Sequence, residues 1–295
     1  MRTSQLTGKN KNRADLPYPL VKWAGGKRSL IPQLQELMPD GVSPNFAGRL
    51  VEPFAGGLAM FFYLRPKEAL LADLNEELIN FYIQVRDNPQ GLMGILDELS
   101  SRPYEADVYY EIRASEPYDL TERAARLLYL NKYGFNGLYR VNKKGKFNVP
   151  FGRNTSGNRP DLYSTENIKM ASELLKRAEI VVLPFEETLL RVETNDFMYA
   201  DPPYHPISAT SAFTSYTKLD FSLEDQKRLR DSLLEVEERT GGGARLMLSN
   251  SVAPDLVELY ERQNNLRIHT VVAFRAISAK ASSRGGTPEL VITNY

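Results

Sequence analysis

Hydrophobic residues along the chain fall into two alternating patterns. Short runs rich in apolar residues occur at Leu50-Val51, Ala69-Leu70-Leu71-Ala72, residues 179–183, Phe197-Met198-Tyr199-Ala200 and residues 245–248. Unbroken apolarity of this kind belongs to strands covered on both faces. Between the runs, apolar residues recur at helical spacing: Leu30/Leu34/Leu37, the segment after Gly57, Leu74/Leu78/Phe81/Tyr82/Val85, Leu92/Ile95/Leu96/Leu99, and residues 121–131, 168–178, 222–238 and 255–263. Ser29 is the expected cap of the first helix, with Pro32 tolerable in its first turn, and Thr121 the expected cap of a later one. Ser222 and Asp225 make an acidic variant of the capping box, and Gly241-Gly242-Gly243 ends the helix they start. Residues 268–274 and 290–294 are expected to form a closing hairpin.

Alternating strands and helices predict an α/β fold, a parallel sheet with helices on both faces. The stretch from 75 to 165 interrupts that alternation with helices and a long polar loop. The expected organisation is therefore one domain from residues 1–74 and 166–295, with 75–165 as a second, smaller one. Residues 1–19 read as a flexible basic arm, and the Ser- and Thr-rich residues 208–218 as a mobile loop over a site.

Composition narrows the chemistry. The 295 residues include no cysteine, which excludes disulfides, a thiolate nucleophile and cysteine-bound zinc. The two histidines, His205 and His269, are too few and too far apart for a histidine metal site, so no metal is expected. No signal peptide or membrane span is evident, and a cytoplasmic protein is expected. Acidic and basic residues balance at 37 each, but their distribution is uneven. Between Asn131 and Pro160 there is no acid, while Lys132, Arg140, Lys143, Lys144, Lys146, Arg153 and Arg159 are interleaved with Tyr133, Phe135, Tyr139, Phe147 and Phe151. A charge run alone is usually a solvated loop; with aromatics among the bases, this one points toward nucleic acid.

Candidate chemistry sits at the ends of the apolar runs. Gly25-Gly26 ahead of Lys27 would leave backbone N–H groups open to an anion. A P-loop is excluded, because Val21 and Arg28 stand where that motif needs glycine and Ser or Thr. Glu52-Pro53-Phe54-Ala55-Gly56-Gly57 forms a glycine turn between strand and helix, where a ligand can approach the backbone. Asp73 ends the next run, a place where an acid commonly takes ribose hydroxyls. Asp201-Pro202-Pro203-Tyr204 ends the 197–200 run. Two prolines force a turn there and expose carbonyls beside an acid and a ring, a set suited to a planar amino-bearing group. A strand-ending turn with a capping Asp fits the same four residues.

In this order, Lys22-Trp23-Ala24-Gly25-Gly26-Lys27, residues 51–57, Asp73-Leu74-Asn75 and Asp201-Pro202-Pro203-Tyr204 resemble the Dam family of DNA adenine-N6 methyltransferases, in the α arrangement of motifs. The most specific stretch is 129–142 with its continuation Phe147-Asn148-Val149-Pro150-Phe151-Gly152-Arg153, which is similar to the hairpin that GATC-reading members put into DNA. The resemblance implies a Rossmann-like S-adenosylmethionine-dependent methyltransferase sheet carrying a DNA-recognition insertion at 75–165. It implies that Trp23, Lys27, Phe54, Gly56, Asp73 and Asp201 hold the cofactor, and that Asp201, Pro202, Pro203 and Tyr204 hold and stack a flipped adenine. For double-stranded DNA it implies Lys22 on the first guanine, Leu138 and Pro150 in the middle of the site, Arg140 on the last guanine, Asn136 near the gap and Arg153 on a phosphate. Phe135 departs from a tyrosine common in this hairpin, and residues 154–160 and 275–278 also depart from the pattern. A monomer of bacterial or phage origin is expected, and a restriction endonuclease acting alongside it is a further partner the family reading allows. Two other classes compete: methylation of adenine in RNA or of a protein amide, and a DNA-binding relative with a dead site. The basic hairpin argues against the first, and intact Asp73, Asp201 and Tyr204 against the second.

Overall fold

The structure, a computed structural model, describes residues 16–152, 159–204, 221–273 and 287–295. Residues 1–15 of the amino-terminal arm, Arg153, His205, the 208–218 loop and residues 275–278 lie outside the described residues, whereas Tyr18 of the arm is held to Asn167 by two hydrogen bonds. Strands β1 (Arg49–Glu52), β2 (Glu68–Ala72), β3 (Ala178–Val181), β4 (Phe197–Ala200), β5 (Arg245–Ser251), β6 (Arg267–Ala273) and β7 (Thr287–Thr293) form a seven-stranded sheet in the order β3-β2-β1-β4-β5-β7-β6. The first five pair in parallel, and β7 runs antiparallel to both β5 and β6. This is the expected α/β fold, closed at one edge by the expected hairpin.

Side chains of successive strand residues leave on opposite faces. Leu50, Leu71, Phe197, Tyr199, Met247 and Val291 enter one buried core, whereas Val51, Leu70, Met198, Ala200, Leu246 and Leu248 enter the other. Helices α1 (Ile31–Glu36), α2 (Ala59–Leu64), α3 (Glu76–Asp87), α4 (Pro89–Ser101), α5 (Ala106–Ala114), α6 (Leu120–Tyr133) and α7 (Thr165–Leu175) supply the first core. Helices α8 (Phe185–Leu190), α9 (Leu223–Thr240) and α10 (Pro254–Glu261) supply the second. The run of helices from α3 to α7 lies between β2 and β3, where the strand–helix alternation breaks.

Several boundaries differ from the sequence expectation for identifiable reasons. Ser29 lies in a tight turn, Lys27–Ser29, and α1 starts beyond it with no side-chain cap. Asp119, rather than Thr121, caps α6, accepting from the Thr121 and Glu122 N–H groups at 2.8 and 3.0 Å. Thr121 is instead buried and donates to Gln84. Helix α7 begins three residues before Ile168 because the Ser164 side chain accepts from the Asn167 N–H. The Ser222–Asp225 capping box is present, and Gly241 ends α9 in the left-handed conformation. β5 continues past Leu248 through Ser249, Asn250 and Ser251, polar residues that are nonetheless buried.

Candidate active site

Parallel strands end on one edge of the sheet, and the loops that leave them must carry whatever binds there. Glu52 closes β1, Asp73 follows β2, Asp201 follows β4, and Ser251 closes β5 opposite Glu289 on β7. The glycine turn after β1 is tied to the end of β2, since the Gly56 N–H donates to Asp73 Oδ2 at 3.0 Å and the Tyr82 hydroxyl donates to the Gly56 carbonyl at 2.7 Å. Gly56 has a φ of +45°, and a β-carbon there would meet the Trp23 ring at 3.0 Å, so glycine is required for Trp23 to lie on the turn. Phe54 stacks on Phe185 at 5.6 Å and meets Phe221 edge-on at 5.7 Å.

Lys27 is the hub. Only 3% exposed, it places Nζ 2.7 Å from Asp201 Oδ1, 2.7 Å from the Gly25 carbonyl and 3.9 Å from Glu289 Oε2. The same ammonium lies 4.6 Å from the centre of the Tyr204 ring. Pro202 is buried and Pro203 exposed, so the turn aims its two prolines differently. Lys27 and Asp201 are thus brought together from distant parts of the chain, while Trp23, Gly56 and Asp73 adjoin one another around the first turn.

Acids outnumber bases here: Asp201 and Glu289 flank the buried Lys27, and Glu52 and Asp73 stand at the neighbouring strand ends. Burial pushes the Asp201 carboxyl up, Lys27 pulls it back down, and Glu289 raises it. Burial also raises Asp73, opposed by N–H bonds from Gly56, Asn75 and Leu74. Glu52 is driven well above the usual carboxylate range, chiefly by burial, and its Oε1 has no hydrogen-bonding partner among the described residues. A strand edge on which acids outnumber bases fits a ligand that carries positive charge. S-adenosylmethionine carries both a sulfonium and an ammonium and meets that requirement.

Beside this edge the chain from Tyr133 to Gly152 folds as a loosely paired antiparallel hairpin. Gly152 N–H donates to the Tyr133 carbonyl, Phe135 to Pro150, Asn148 to Arg140 and Asn142 to Lys146, at 2.8–2.9 Å. Gly137, Tyr139 and Val149 are buried, whereas Asn136, Arg140 and Pro150 are exposed and Leu138 is half-buried. The predicted reading residues are therefore on the outward side. Arg140 leans on Asn148, donating from Nε to Oδ1 at 2.7 Å. Most of the interleaved aromatics do not offer rings to a ligand: Tyr133 and Tyr139 are buried, and Phe147 and Phe151 pack against the core. Phe135, 51% exposed, is the large aromatic that projects. Lys146 pairs with Glu116, and Arg159 donates to the Tyr133 hydroxyl and the Arg102 carbonyl, so part of the basic run serves the fold.

The two halves meet at Trp23. Its ring stacks on Tyr139 of the hairpin, 5.3 Å between centres and 29° between planes. Next to it, Asn131 of α6, fully buried, accepts from the Lys22 N–H at 2.8 Å and donates to the carbonyls of Lys22 and Gly137 at 2.7 and 3.0 Å. Replacing Asn131 by leucine strips these backbone groups of their partner and is expected to cost about 3 kcal/mol in urea unfolding. An unchanged midpoint would refute that clamp.

Sequence reasoning missed Asn131 as a clamp, Glu289, and the pair Gln226–Asn250. Asn250 donates to Gln226 Oε1 at 2.8 Å, and Gln226 Nε2 reaches the Pro203 carbonyl at 3.5 Å, so a buried polar chain from β5 through α9 supports the proline turn. The available signal was the polar run 249–251 at the end of an apolar strand.

Known proteins resemble this chain over most of its length. Residues 23–277 match the family described as D12 class N6 adenine-specific DNA methyltransferase. Type II methyltransferase M1.LlaDCHI of Lactococcus lactis subsp. cremoris is 43% identical, over 97% of this chain and 98% of its own. Type II methyltransferase M.MjaIII of Methanocaldococcus jannaschii is 40% identical, over 94% of this chain and 99% of its own. The DNA adenine methylase of Escherichia coli K12 is 33% identical, over 95% of each.

Proposed function

The chain belongs to the D12 class of N6 adenine-specific DNA methyltransferases, and from that premise we propose that it methylates the adenine of GATC in duplex DNA, reading the site with the 133–152 hairpin. It is an enzyme that uses S-adenosylmethionine to methylate adenine N6 in DNA; the target sequence and the residue roles are what is proposed. The observation that carries the reading is the Trp23–Tyr139 stack, because it joins the strand edge suited to a cationic cofactor to the outward row of Leu138 and Arg140.

S-adenosylmethionine supplies a methyl group on a positively charged sulfur. Trp23, Phe54, Gly56 and Asp73 hold it at the strand edge, with Asp201 offering negative charge. A stacked, paired adenine hides its amino group, so the base must leave the helix to be reached. Asp201 and the Pro202 carbonyl accept hydrogen bonds from N6, turning its lone pair out of conjugation and toward the methyl, while Tyr204 stacks on the ring. N6 forms its bond to carbon as the carbon–sulfur bond breaks, and the extra N6 proton then leaves to solvent past Asp201. Orientation and fixed charge supply most of the acceleration, since the nucleophile is weak and needs no covalent help. Residues 75–165 form the target-recognition unit. Lys22 and Arg140 read guanines, Leu138 and Pro150 meet the middle of the site, Asn136 adjoins the vacated position, and Arg153 takes a phosphate.

Methyl incorporation from labelled cofactor into a GATC duplex and into duplexes with one changed base tests this directly. Label at adenine N6 on the GATC duplex alone is expected; equal label on both removes the reading assignments, and label preferring RNA overturns the substrate. Arg140→Ala is expected to lose about 1–3 kcal/mol of discrimination at one base pair. Undiminished discrimination in competition kinetics would refute that contact.

A further inference from the structure

Glu289 is a buried acid with no part in the mechanism above. It is 7% exposed and sits on β7 opposite Ser251, whose Oγ is buried and has no hydrogen-bonding partner among the described residues. An isolated carboxylate in such a place is costly unless it is paired and hydrogen-bonded. Among the described residues Glu289 has two partners, both from the active site: the Tyr204 hydroxyl donates to Oε2 at 2.6 Å, and Lys27 Nζ lies 3.9 Å from the same oxygen. Its strand neighbours Leu290 and Ile292 pack into the second core, so the carboxylate stands on a rigid element.

We propose that Glu289 is the positioning residue for the Tyr204 ring, anchoring the phenol by its hydroxyl so that the ring plane is already set when the base arrives beside Asp201. The inference rests on the reading of Tyr204 as the stacking ring. Tyr204 follows two prolines in a turn that carries no regular secondary structure, and backbone alone leaves its side-chain torsions open. One end of the ring is held by the Glu289 bond, while Lys27 lies against the ring. Burial, with Asp201 and Glu289 adding to it, drives the phenol far above its ordinary titration range, so the hydroxyl keeps the proton it donates. A ring fixed in this way meets the base without paying for its own ordering, which is the general benefit of preorganisation. The negative charge of Glu289 also competes with Asp201 for Lys27, so the lysine holds the ring and the acid as one unit.

The test is a double-mutant cycle on single-turnover methylation of an adenine duplex, with a second, unreactive duplex carrying 2-aminopurine at the target position reporting stacking of the flipped base. Glu289→Met and Tyr204→Phe are each expected to slow the step about tenfold, the loss of one charge-assisted hydrogen bond. The double variant is expected to be no slower than either single one, Glu289→Gln to recover part of the rate, and cofactor binding by calorimetry to stay within about twofold of wild type in all of them. Each variant should also show a brighter 2-aminopurine signal, because the base is less firmly stacked. Additive losses, or a wild-type rate in Glu289→Met, would overturn the proposal. Should Glu289→Met not fold, Glu289→Gln with and without Tyr204→Phe completes the same cycle and is judged the same way. Tyr204→Ala separates the two levels: an undiminished rate removes the stacking role of Tyr204, whereas a large loss with an additive cycle removes only the role of Glu289.

Discussion

Asp201→Ala is expected to yield a folded, DNA-binding protein whose methyl transfer falls at least about a thousandfold, the scale of removing a polar group aimed at the reacting centre. Folding is expected to survive because Lys27 retains the Gly25 carbonyl at 2.7 Å and can close the 3.9 Å gap to Glu289. Chemistry is not expected to survive, because no other described side chain is placed to accept from N6 beside the Pro202 carbonyl. Glu52 is fully buried behind the turn and its carboxyl is pushed up by burial, so it is a poor substitute for an ionised acceptor. Single-turnover incorporation, with circular dichroism and a gel shift on the same preparation, checks all three statements. Turnover near wild type would sink the role assigned to Asp201.

Lys27→Met carries the second large effect and shows it in stability as well as rate. Methionine keeps most of the stem but leaves Asp201 and Glu289 facing each other with no cation between them, the situation in which breaking a buried pair costs about 3–5 kcal/mol. The pH dependence has a definite sign. Burial raises the Asp201 carboxyl in the folded protein, Glu289 raises it further, and Lys27 is the group that lowers it. Glu52, itself raised by burial and by Asp201, and the raised phenols of Tyr199 and Tyr204 also face this acid. Without Lys27 the folded-state value climbs. An acid raised on folding contributes stability below its unfolded value and loses it as the pH rises through the folded one. The variant should therefore melt closest to wild type in mild acid and fall progressively behind as the pH rises to neutrality. With Asp201 in its proposed role as the acceptor for N6, activity should begin at a higher pH. A melting deficit equal at pH 5 and pH 8 would refute this account of the cluster.

The parts of the fold legible in the sequence are those where one physical demand dominates a short stretch. Phe197–Ala200 is buried on both faces, so it can be nothing but apolar, and its acid and prolines mark where the strand must stop. Ser222 and Asp225 satisfy each other within one turn, which a local pattern can carry. Where two demands compete, the pattern misleads. Ser249, Asn250 and Ser251 are strand residues with polar side chains because the sheet edge must support the proline turn, so apolarity marks the strand's end too early. Helix α8, six residues after Pro184, is too short to show a period. In the basic run, composition does not say which way a ring points; the extended chain buries Tyr139 and leaves Arg140 exposed. Motifs located the ingredients of the site, but pairings such as Tyr204 with Glu289 and Lys22 with Asn131 are made by tertiary packing across long stretches of chain.

Burial and exposure in the hairpin have a consequence for how such a protein can change over generations. In the hairpin, buried Gly137, Tyr139 and Val149 alternate with outward Leu138, Arg140 and Pro150, and the base of the excursion is shut by the Gly152 to Tyr133 bond. Substitutions at outward positions alter the surface the hairpin presents without replacing Tyr139, the residue that stacks on Trp23. Because the cost of closing a loop grows only with the logarithm of its length, residues can also be gained at the Asn142–Gly145 turn at little expense. On the proposed reading of the hairpin, a lineage can therefore drift in target preference through single steps that leave the buried residues and the methyl-transfer machinery untouched. The inward residues act as the inherited grammar, and the outward ones as the vocabulary free to vary.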